Sequence, residues 1–274
     1  MAKRRPIDKC KLCGEVKQLC DSQYLPKRLY KIARAPELKN PNPVMSVNGR
    51  LKQISDQYRD FVFCESCEGL LNKQGESWIL ANLPKKYGDR CPLQDTLAPL
   101  TPTEVGDRWE RYNVSGVKAF DVEKLVYFGT SVFWRSAVHD WKTSTGQKAP
   151  PVDLGAYREP MRRFLLGGAP FPNDMVLALD IWPYKSVFPF LQPVVTEVGR
   201  YWFYLPGLHF FLFVGTDIPK DARESDATHG VITLDLVTAD YLLNFTTELI
   251  KLQYRGPEMD AMFKEIAAIT ASKK

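Results

Sequence analysis

Two short cysteine motifs, Cys10-Lys-Leu-Cys13 and Cys64-Glu-Ser-Cys67, decide how this chain is organised. A Cys-x-x-Cys segment bends back on itself, so that both thiolates reach one ion while later amides donate hydrogen bonds to the sulfurs. Two such segments supply the four thiolates of a closed tetrahedral shell, an arrangement typical of structural zinc. The pattern therefore predicts a structural Zn2+ ion bound by Cys10, Cys13, Cys64 and Cys67.

Other chemistries also use paired cysteines. The same residues suit disulfides, a redox iron with four thiolate ligands or a thioredoxin-type dithiol, and six cysteines can give this spacing by coincidence. Spacing alone does not separate zinc from iron at a four-cysteine site. Cys20 and Cys91 have no partner at metal-binding spacing, and we expect them to be small buried apolar side chains.

Length and composition indicate a folded protein. The chain has 274 residues, of which 45% are hydrophobic and 12% aromatic, enough for one large or two modest domains. The basic start at residues 1–8 is not followed by the apolar run of a signal peptide, so we expect a cytoplasmic protein with reduced thiols. The most apolar stretch, residues 201–214, is too short to span a bilayer and contains a Pro206-Gly207 turn. No membrane partner is expected.

Positive charge is concentrated towards the N-terminal end. Residues 1–60 contain fourteen Lys or Arg and six Asp or Glu, a net charge of +8, whereas the whole chain carries +5. Clustered Lys and Arg neutralise phosphates and give salt-sensitive binding to nucleic acids, although a solvated surface has the same composition. We expect DNA or RNA to contact a short basic helix through Lys27, Arg28, Lys31 and Arg34.

The first part of the chain predicts a small zinc module. A knuckle at the first cysteine pair leads through a short strand and a Pro26 bend to the basic helix of residues 27–34, and a strand through Phe61 then delivers the second pair. Residues 68–80 follow as a helix. Knuckle, hairpin and helix around one zinc ion make up a treble clef, which we assign to residues 1–83.

The remainder predicts a larger domain, so that the fold class is α+β. Residues 84–116 mix proline, charge and isolated apolar side chains, which indicates a linker or irregular segment, and residues 117–274 predict helices packed on an antiparallel sheet. The helices are expected at residues 122–142, 157–166, 240–253 and 258–270, and the strands at residues 175–182, 194–198, 201–205, 208–214 and 231–236.

A set of motifs around the two cysteine pairs resembles those of a known family. They read Cys10-x-x-Cys13-Gly, Asp21-Ser-Gln-Tyr-Leu-Pro-Lys27, Tyr30-Lys31 and Phe63-Cys64-x-x-Cys67-Glu68. Similar motifs occur in HNH-endonuclease-like proteins of bacteria and phages, within the His-Me finger nucleases, and the similarity covers about residues 8–80. The segment Val132-Phe-Trp-Arg-Ser136 more weakly resembles the part of those proteins that follows the zinc module.

The resemblance implies a metal-dependent nuclease site with one decisive difference. In those relatives a histidine three residues before the proline is the general base that activates water, and Gln23 stands at that position here. A glutamine amide takes no proton from water at neutral pH, so Gln23 can only orient a water. The family's metal ligand after the last cysteine matches Glu68. Asn72 and Glu76 follow on the same helical face, where oxygen ligands suit Mg2+ or simply form a solvated surface.

No histidine lies near Gln23 in the sequence. His139 and His209 belong to the second domain, and we expect them to be packed or surface residues. His229 is a loop residue that could reach a site across a domain interface. Asp21 is the nearest carboxylate to Gln23, on the same face of a regular strand.

Three functions are consistent with these patterns. The first is a nucleic-acid-binding protein on an HNH-like zinc module whose nuclease chemistry is lost or weakened. The second is an active metal-dependent endonuclease, in which Gln23 orients water and Glu68 with Asn72 holds Mg2+. The third is a protein-interaction subunit of a bacterial or phage antiviral defence complex, in which the second domain binds a partner protein.

Overall fold

The computed structural model contains a small sheet and a large sheet that share one long helix. The structure describes residues 4–32, 34, 44–47, 50–53, 57–86, 89–149, 152–182 and 191–236. The helices predicted at 240–253 and 258–270 lie outside the described residues.

The helices and strands appear in the following order. The helices are α1 (Lys27–Ile32), α2 (Glu65–Leu71), α3 (Ser77–Ala81), α4 (Leu93–Leu97), α5 (Val122–Val138), α6 (Arg158–Leu165) and α7 (Lys220–Glu224). The strands are β1 (Ile7–Lys9), β2 (Val16–Gln23), β3 (Val44–Val47), β4 (Arg50–Gln53), β5 (Arg59–Cys64), β6 (Glu104–Val105), β7 (Trp109–Asn113), β8 (Met175–Ile181), β9 (Leu191–Glu197), β10 (Arg200–Leu205), β11 (Leu208–Val214) and β12 (Val231–Asp235). A π-helical turn, Asn72–Glu76, joins α2 to α3.

The small sheet contains both cysteine pairs at its margins. It is antiparallel, with the order β1-β2-β5, and β3 pairs with β4 in a separate hairpin. Ser22 lies opposite Asp60 and Gln23 opposite Arg59. Because α2 begins at the residue after β5, the chain passes from strand to helix within the second cysteine pair.

The large sheet has seven strands in the order β6-β7-β12-β8-β11-β10-β9. The α+β class is confirmed, but the sheet is mixed rather than antiparallel, because β12 runs parallel to β8. Helix α5 packs on one face of this sheet. A Cβ atom on Gly129 would lie 3.0 Å from side-chain atoms of Leu177 and Phe210, so a glycine allows the helix to approach this closely.

Residues 84–116, predicted as a linker or irregular segment, contain α4 and two strands of the large sheet. The charge that made β7 resemble a loop belongs to Arg111, which is buried. Its guanidinium binds Glu104, lies 3.3 Å from the Glu224 carboxylate and donates to the Ser225 hydroxyl at 3.0 Å. Hydrophobic periodicity misses this strand because ion pairs satisfy the buried charge.

One apolar core crosses the predicted boundary between residues 1–83 and 117–274. The ring of Phe63 in β5 stacks on Trp134 of α5 with a centroid distance of 5.9 Å. Tyr24, just after β2, stacks on Trp141 at 5.5 Å. Within the described residues, β5 and the end of β2 therefore pack against α5 and the segment that follows it, and the two predicted domains share one core.

Gly75→Ala is expected to destabilise the protein by about 1–3 kcal/mol, although alanine is normally favoured over glycine in a helix by about 1 kcal/mol. Gly75 lies in the π-helical turn, and a Cβ atom there would lie 2.9 Å from the Cβ and the backbone nitrogen of Phe128. Chemical denaturation measures the change. Gly69→Ala in α2 is the matched control, because a Cβ at Gly69 meets nothing within 4 Å. Equal effects of the two substitutions would contradict the packing explanation.

Candidate metal centre and neighbouring polar sites

Two different turns present the cysteine pairs to each other. Cys10 follows β1, and its turn returns to β2 through Gly14, whose φ of 79° is one that glycine adopts easily. The Gly14 amide donates to the Cys10 carbonyl at 2.9 Å and closes this turn. Cys64 is the last residue of β5, and Cys67 lies in the first turn of α2. The strand–helix junction thereby faces the first knuckle.

The four predicted ligands come together in one cluster. The ligand atoms of Cys10, Cys13, Cys64 and Cys67 all lie within 4.8 Å of one another. The sulfurs of Cys13 and Cys64 are 3.9 Å apart. Two thiolates each bound about 2.3 Å from a tetrahedral zinc would be about 3.8 Å apart. Together with the Cys64 amide, which donates to the Cys10 sulfur at 3.3 Å, this geometry fits a metal ion with four thiolate ligands.

The electrostatics of the cluster also favour a bound cation. A hydrogen bond with Cys67 lowers the pKa of Cys10 to about 4, with help from backbone amides and against the effect of burial. The same contact raises the pKa of Cys67, and burial raises that of Cys13. Sulfurs this close repel one another when all are ionised, and a cation removes that repulsion. Arg162 of α6 supports the knuckle by donating to the Leu12 carbonyl at 2.7 Å.

The remaining two cysteines lie away from this cluster. Cys91 is fully buried, and a Cβ on Gly207 would lie only 2.5 Å from the Cβ of Cys91. Cys20 is half-buried in β2. Among the described residues, no other group of three or more His, Cys, Asp or Glu side chains is close enough to hold a metal ion.

Gln23 and Glu68 lie on different faces of the β2–β5 hairpin. Gln23 is opposite Arg59, whose guanidinium binds the Asp21 carboxylate, so these three side chains share a face. Ser22, the neighbouring residue in β2, points to the opposite face, and its hydroxyl lowers the pKa of the Glu68 carboxyl against the larger effect of burial. The side chain of Gln23 and the carboxyl of Glu68 are thus associated with opposite sides of β2.

The other expected Mg2+ ligands have partners in the protein. Asn72 is exposed, and its side-chain oxygen accepts a hydrogen bond from the Ser77 hydroxyl at 2.9 Å. Glu76 binds the guanidinium of Arg135. Burial raises the pKa of Glu68, and the charge of Arg135 opposes this shift. The ion pair with Arg135 therefore neutralises the charge of Glu76.

Arg135 of α5 is buried where the two predicted domains meet. Its Nη1 donates to the backbone carbonyls of Gln23 and Tyr24 at 3.5 and 3.4 Å, and its Nη2 binds Glu76. It therefore anchors the end of β2 immediately before the Pro26 bend. An arginine within an apolar helix predicts a buried partner, but only the fold identifies that partner as a segment more than a hundred residues earlier.

Helix α1 presents its positive charge to solvent. Leu29, Tyr30 and Ile32 form its buried face. The basic residues predicted to contact nucleic acid are all exposed: Lys27, Arg28, Lys31 and Arg34. Because α1 follows directly on the segment held by Arg135, its position is fixed relative to the small sheet.

The three histidines occupy different environments. His209 is surrounded by aromatic rings, and burial lowers its pKa to about 3, so it is neutral at physiological pH. His229 lies in an exposed turn, 3.4 Å from Asp226. His139 directly follows α5, and its Nε2 is 3.0 Å from the Asp60 carboxylate of β5. Of the described histidines, only His139 lies against the hairpin that contains Gln23.

Comparisons with other proteins leave the function to be inferred from these sites. No known family, curated protein or solved structure matches the chain. Within the part of the chain that the structure describes, no helix is both long and apolar enough to cross a membrane.

Proposed function

We propose that this protein binds nucleic acid through an HNH-like treble-clef module that contains structural zinc, and that the nuclease chemistry of that family is lost or weakened. The observation that carries the proposal is the exposed basic surface of α1, which is held in place by the buried Arg135. A helix whose backbone is already held loses less conformational entropy when its Lys and Arg side chains bind phosphates.

Zn2+ is the ion proposed for the four-cysteine cluster. Four thiolates in a closed shell leave no open coordination position, which suits a structural rather than a catalytic ion. The ion would tie the knuckle between β1 and β2 to the junction of β5 and α2. Elemental analysis of the purified protein is expected to give one zinc per chain. Iron in its place, with thiolate-to-iron absorption in the visible range, would contradict this assignment.

Two observations support the loss of HNH-type catalysis. Gln23 stands where the resemblance expects a general base, and its amide cannot take a proton from water. In addition, Glu76 is neutralised by Arg135. The competing endonuclease hypothesis requires Mg2+ at Glu68 and Asn72. Cleavage of DNA or RNA that needs Mg2+ and disappears in Glu68→Ala would favour that hypothesis over ours.

Substituting Lys27, Arg28 and Lys31 together with Ala is expected to weaken nucleic-acid binding. Loss of three phosphate contacts should raise the dissociation constant at least about tenfold and reduce the slope of log K against log salt by about 2 to 3. Fluorescence anisotropy with labelled DNA and RNA over a salt series measures both quantities.

The matched control removes the same charge elsewhere, from the exposed residues Lys118, Lys220 and Arg223. This second triple variant should bind as the wild type does. Equal weakening by both variants would show that only net charge matters and would contradict a binding surface on α1. Binding that is absent, or insensitive to salt, in the wild type would favour the protein-interaction hypothesis.

A further inference from the structure

A second polar site, separate from the cysteine cluster, joins the end of α5 to the zinc module. The Nε2 atom of His139 lies 3.0 Å from Oδ2 of Asp60. The Oδ1 atom of Asp60 accepts a hydrogen bond from the Phe61 amide at 2.8 Å. The backbone therefore fixes the carboxylate, and the carboxylate fixes one nitrogen of the imidazole.

The plane of the His139 ring is also held in place. The ring meets Trp141 edge-on, with centroids 5.2 Å apart and an interplanar angle of 86°. Trp141 is itself immobilised, because its Nε1 donates to the Arg135 carbonyl at 2.8 Å and its ring stacks on Tyr24. The His139 side chain is 21% exposed, and its Nδ1 has no hydrogen-bond partner among the described residues. Solvent or a ligand can approach the imidazole.

An imidazole that contacts a carboxylate through one nitrogen and leaves the other nitrogen available can act as a general base. When Nε2–H donates to Asp60, the lone pair of the imidazole is on Nδ1, where it can accept a proton. A base held by a third group is the usual arrangement for activating a hydroxyl nucleophile. The other two histidines do not combine a carboxylate partner with a ring packed against an aromatic side chain. His209 is enclosed by aromatic rings, and His229 is 79% exposed in a surface turn.

The pair lies close to the surface proposed for nucleic-acid binding. Tyr24, which stacks on the tryptophan beside His139, precedes Lys27 by three residues. Three residues of extended chain span at most about 10 Å. The segment beside the pair therefore leads directly into α1, and the ligand we propose is an RNA long enough to contact both.

We propose that His139 and Asp60 cleave bound RNA by transesterification, an inference that rests on the proposed nucleic-acid binding. Nδ1 of His139 takes the proton of a ribose 2′-hydroxyl, and the 2′-oxygen attacks the adjacent phosphorus. The P–O5′ bond breaks, and the leaving 5′-oxygen takes a proton from water while His139 returns its own proton to solvent. The products are a 2′,3′-cyclic phosphate and a 5′-hydroxyl. The reaction requires no metal ion. DNA is not a substrate because it lacks the 2′-hydroxyl.

The test measures cleavage and binding separately on the full-length protein. Labelled single-stranded RNA and DNA of one sequence are incubated without divalent ions, and binding is followed by anisotropy. The wild type should cut RNA only and leave 2′,3′-cyclic phosphate ends. His139→Gln should lower the rate at least about 100-fold with RNA affinity unchanged. His229→Gln, which alters the other His–Asp pair, is the matched control and should cut at the wild-type rate.

Asp60 is a positioning residue, and its variants separate that role from a structural one. Asp60→Asn should lower kcat roughly tenfold with KM unchanged, because the imidazole is still present but no longer held in one tautomer. Asp60→Glu should recover part of the rate. Melting temperatures show whether each variant is folded. If His139→Gln is unfolded, the division of the Asp60→Asn effect between kcat and KM decides the question.

Several outcomes would overturn this inference. RNA binding without cleavage would do so and would leave the proposed function intact, whereas absence of both would overturn both. Equal cleavage of DNA, or cleavage that requires Mg2+, would exclude the 2′-hydroxyl as nucleophile. An unchanged rate in a folded His139→Gln variant would remove His139 from the reaction.

Discussion

Cys64→Ser is expected to release the zinc ion proposed for the four-cysteine cluster and to unfold the segment around it. Structural zinc contributes about 10–16 kcal/mol of apparent binding free energy in zinc-finger peptides, which is comparable to the whole stability of a domain, about 5–15 kcal/mol. Cys64 also joins β5 to α2, so its loss frees the strand–helix junction as well as the ion. Metal content by elemental analysis and thermal unfolding by circular dichroism measure the two effects.

Cys20→Ser is the matched control for this substitution. Cys20 lies in β2 of the same sheet but outside the cluster of four sulfurs. This variant should keep its metal and melt within a few degrees of the wild type. A strong zinc chelator should reproduce the effect of Cys64→Ser on the wild type. A Cys64→Ser protein that retains both metal and melting temperature would exclude the four-cysteine assignment.

Arg135→Met is expected to destabilise the protein by about 3–5 kcal/mol. The guanidinium is buried, and its removal leaves the Glu76 charge without a partner in the low-dielectric interior. It also removes the donors to the carbonyls of Gln23 and Tyr24, which lie between β2 and α1. Urea unfolding measures the loss, and we expect nucleic-acid affinity to fall with it because α1 is no longer held.

A double-mutant cycle with Glu76→Gln separates the ion pair from the backbone contacts. If most of the cost of Arg135→Met is the unpaired carboxylate, Glu76→Gln in the same chain should restore much of the stability. Lys73→Met, on the exposed surface of the same π-helical turn, is the control and should change stability by less than about 0.5 kcal/mol. A folded Arg135→Met variant of unchanged stability would contradict the role assigned to this arginine.

Short sequence patterns were sufficient to predict the cysteine cluster and the apolar strands of the large sheet. The spacing of the four cysteines identified residues that the structure brings within 4.8 Å, because a turn of fixed length fixes where two thiolates point. The apolar strands of the large sheet were predicted within a few residues, since alternating and continuous apolar runs leave few alternatives. The strand at 208–214 has the same bounds in the structure.

Long-range pairing limited the remaining predictions. β7 was missed because its buried Arg111 resembles a loop residue until Glu104 and Glu224 are beside it. The face occupied by Gln23 depends on its register against Arg59, which the sequence of β2 does not contain. Likewise, His139 and Asp60 are neighbours only because α5 packs on the small sheet. Each of these features depends on residues that are distant in sequence.

The central position of β12 in the large sheet has a consequence for how the chain folds during synthesis. The last described strand lies between β7 and β8, so the two parts of the large sheet have no shared hydrogen bonds until it arrives. The four cysteines, by contrast, are all present once residue 67 has left the ribosome. A growing chain can therefore bring its four thiolates together early, whereas the edges of β7 and β8 stay unpaired until residues 231–235 have been made.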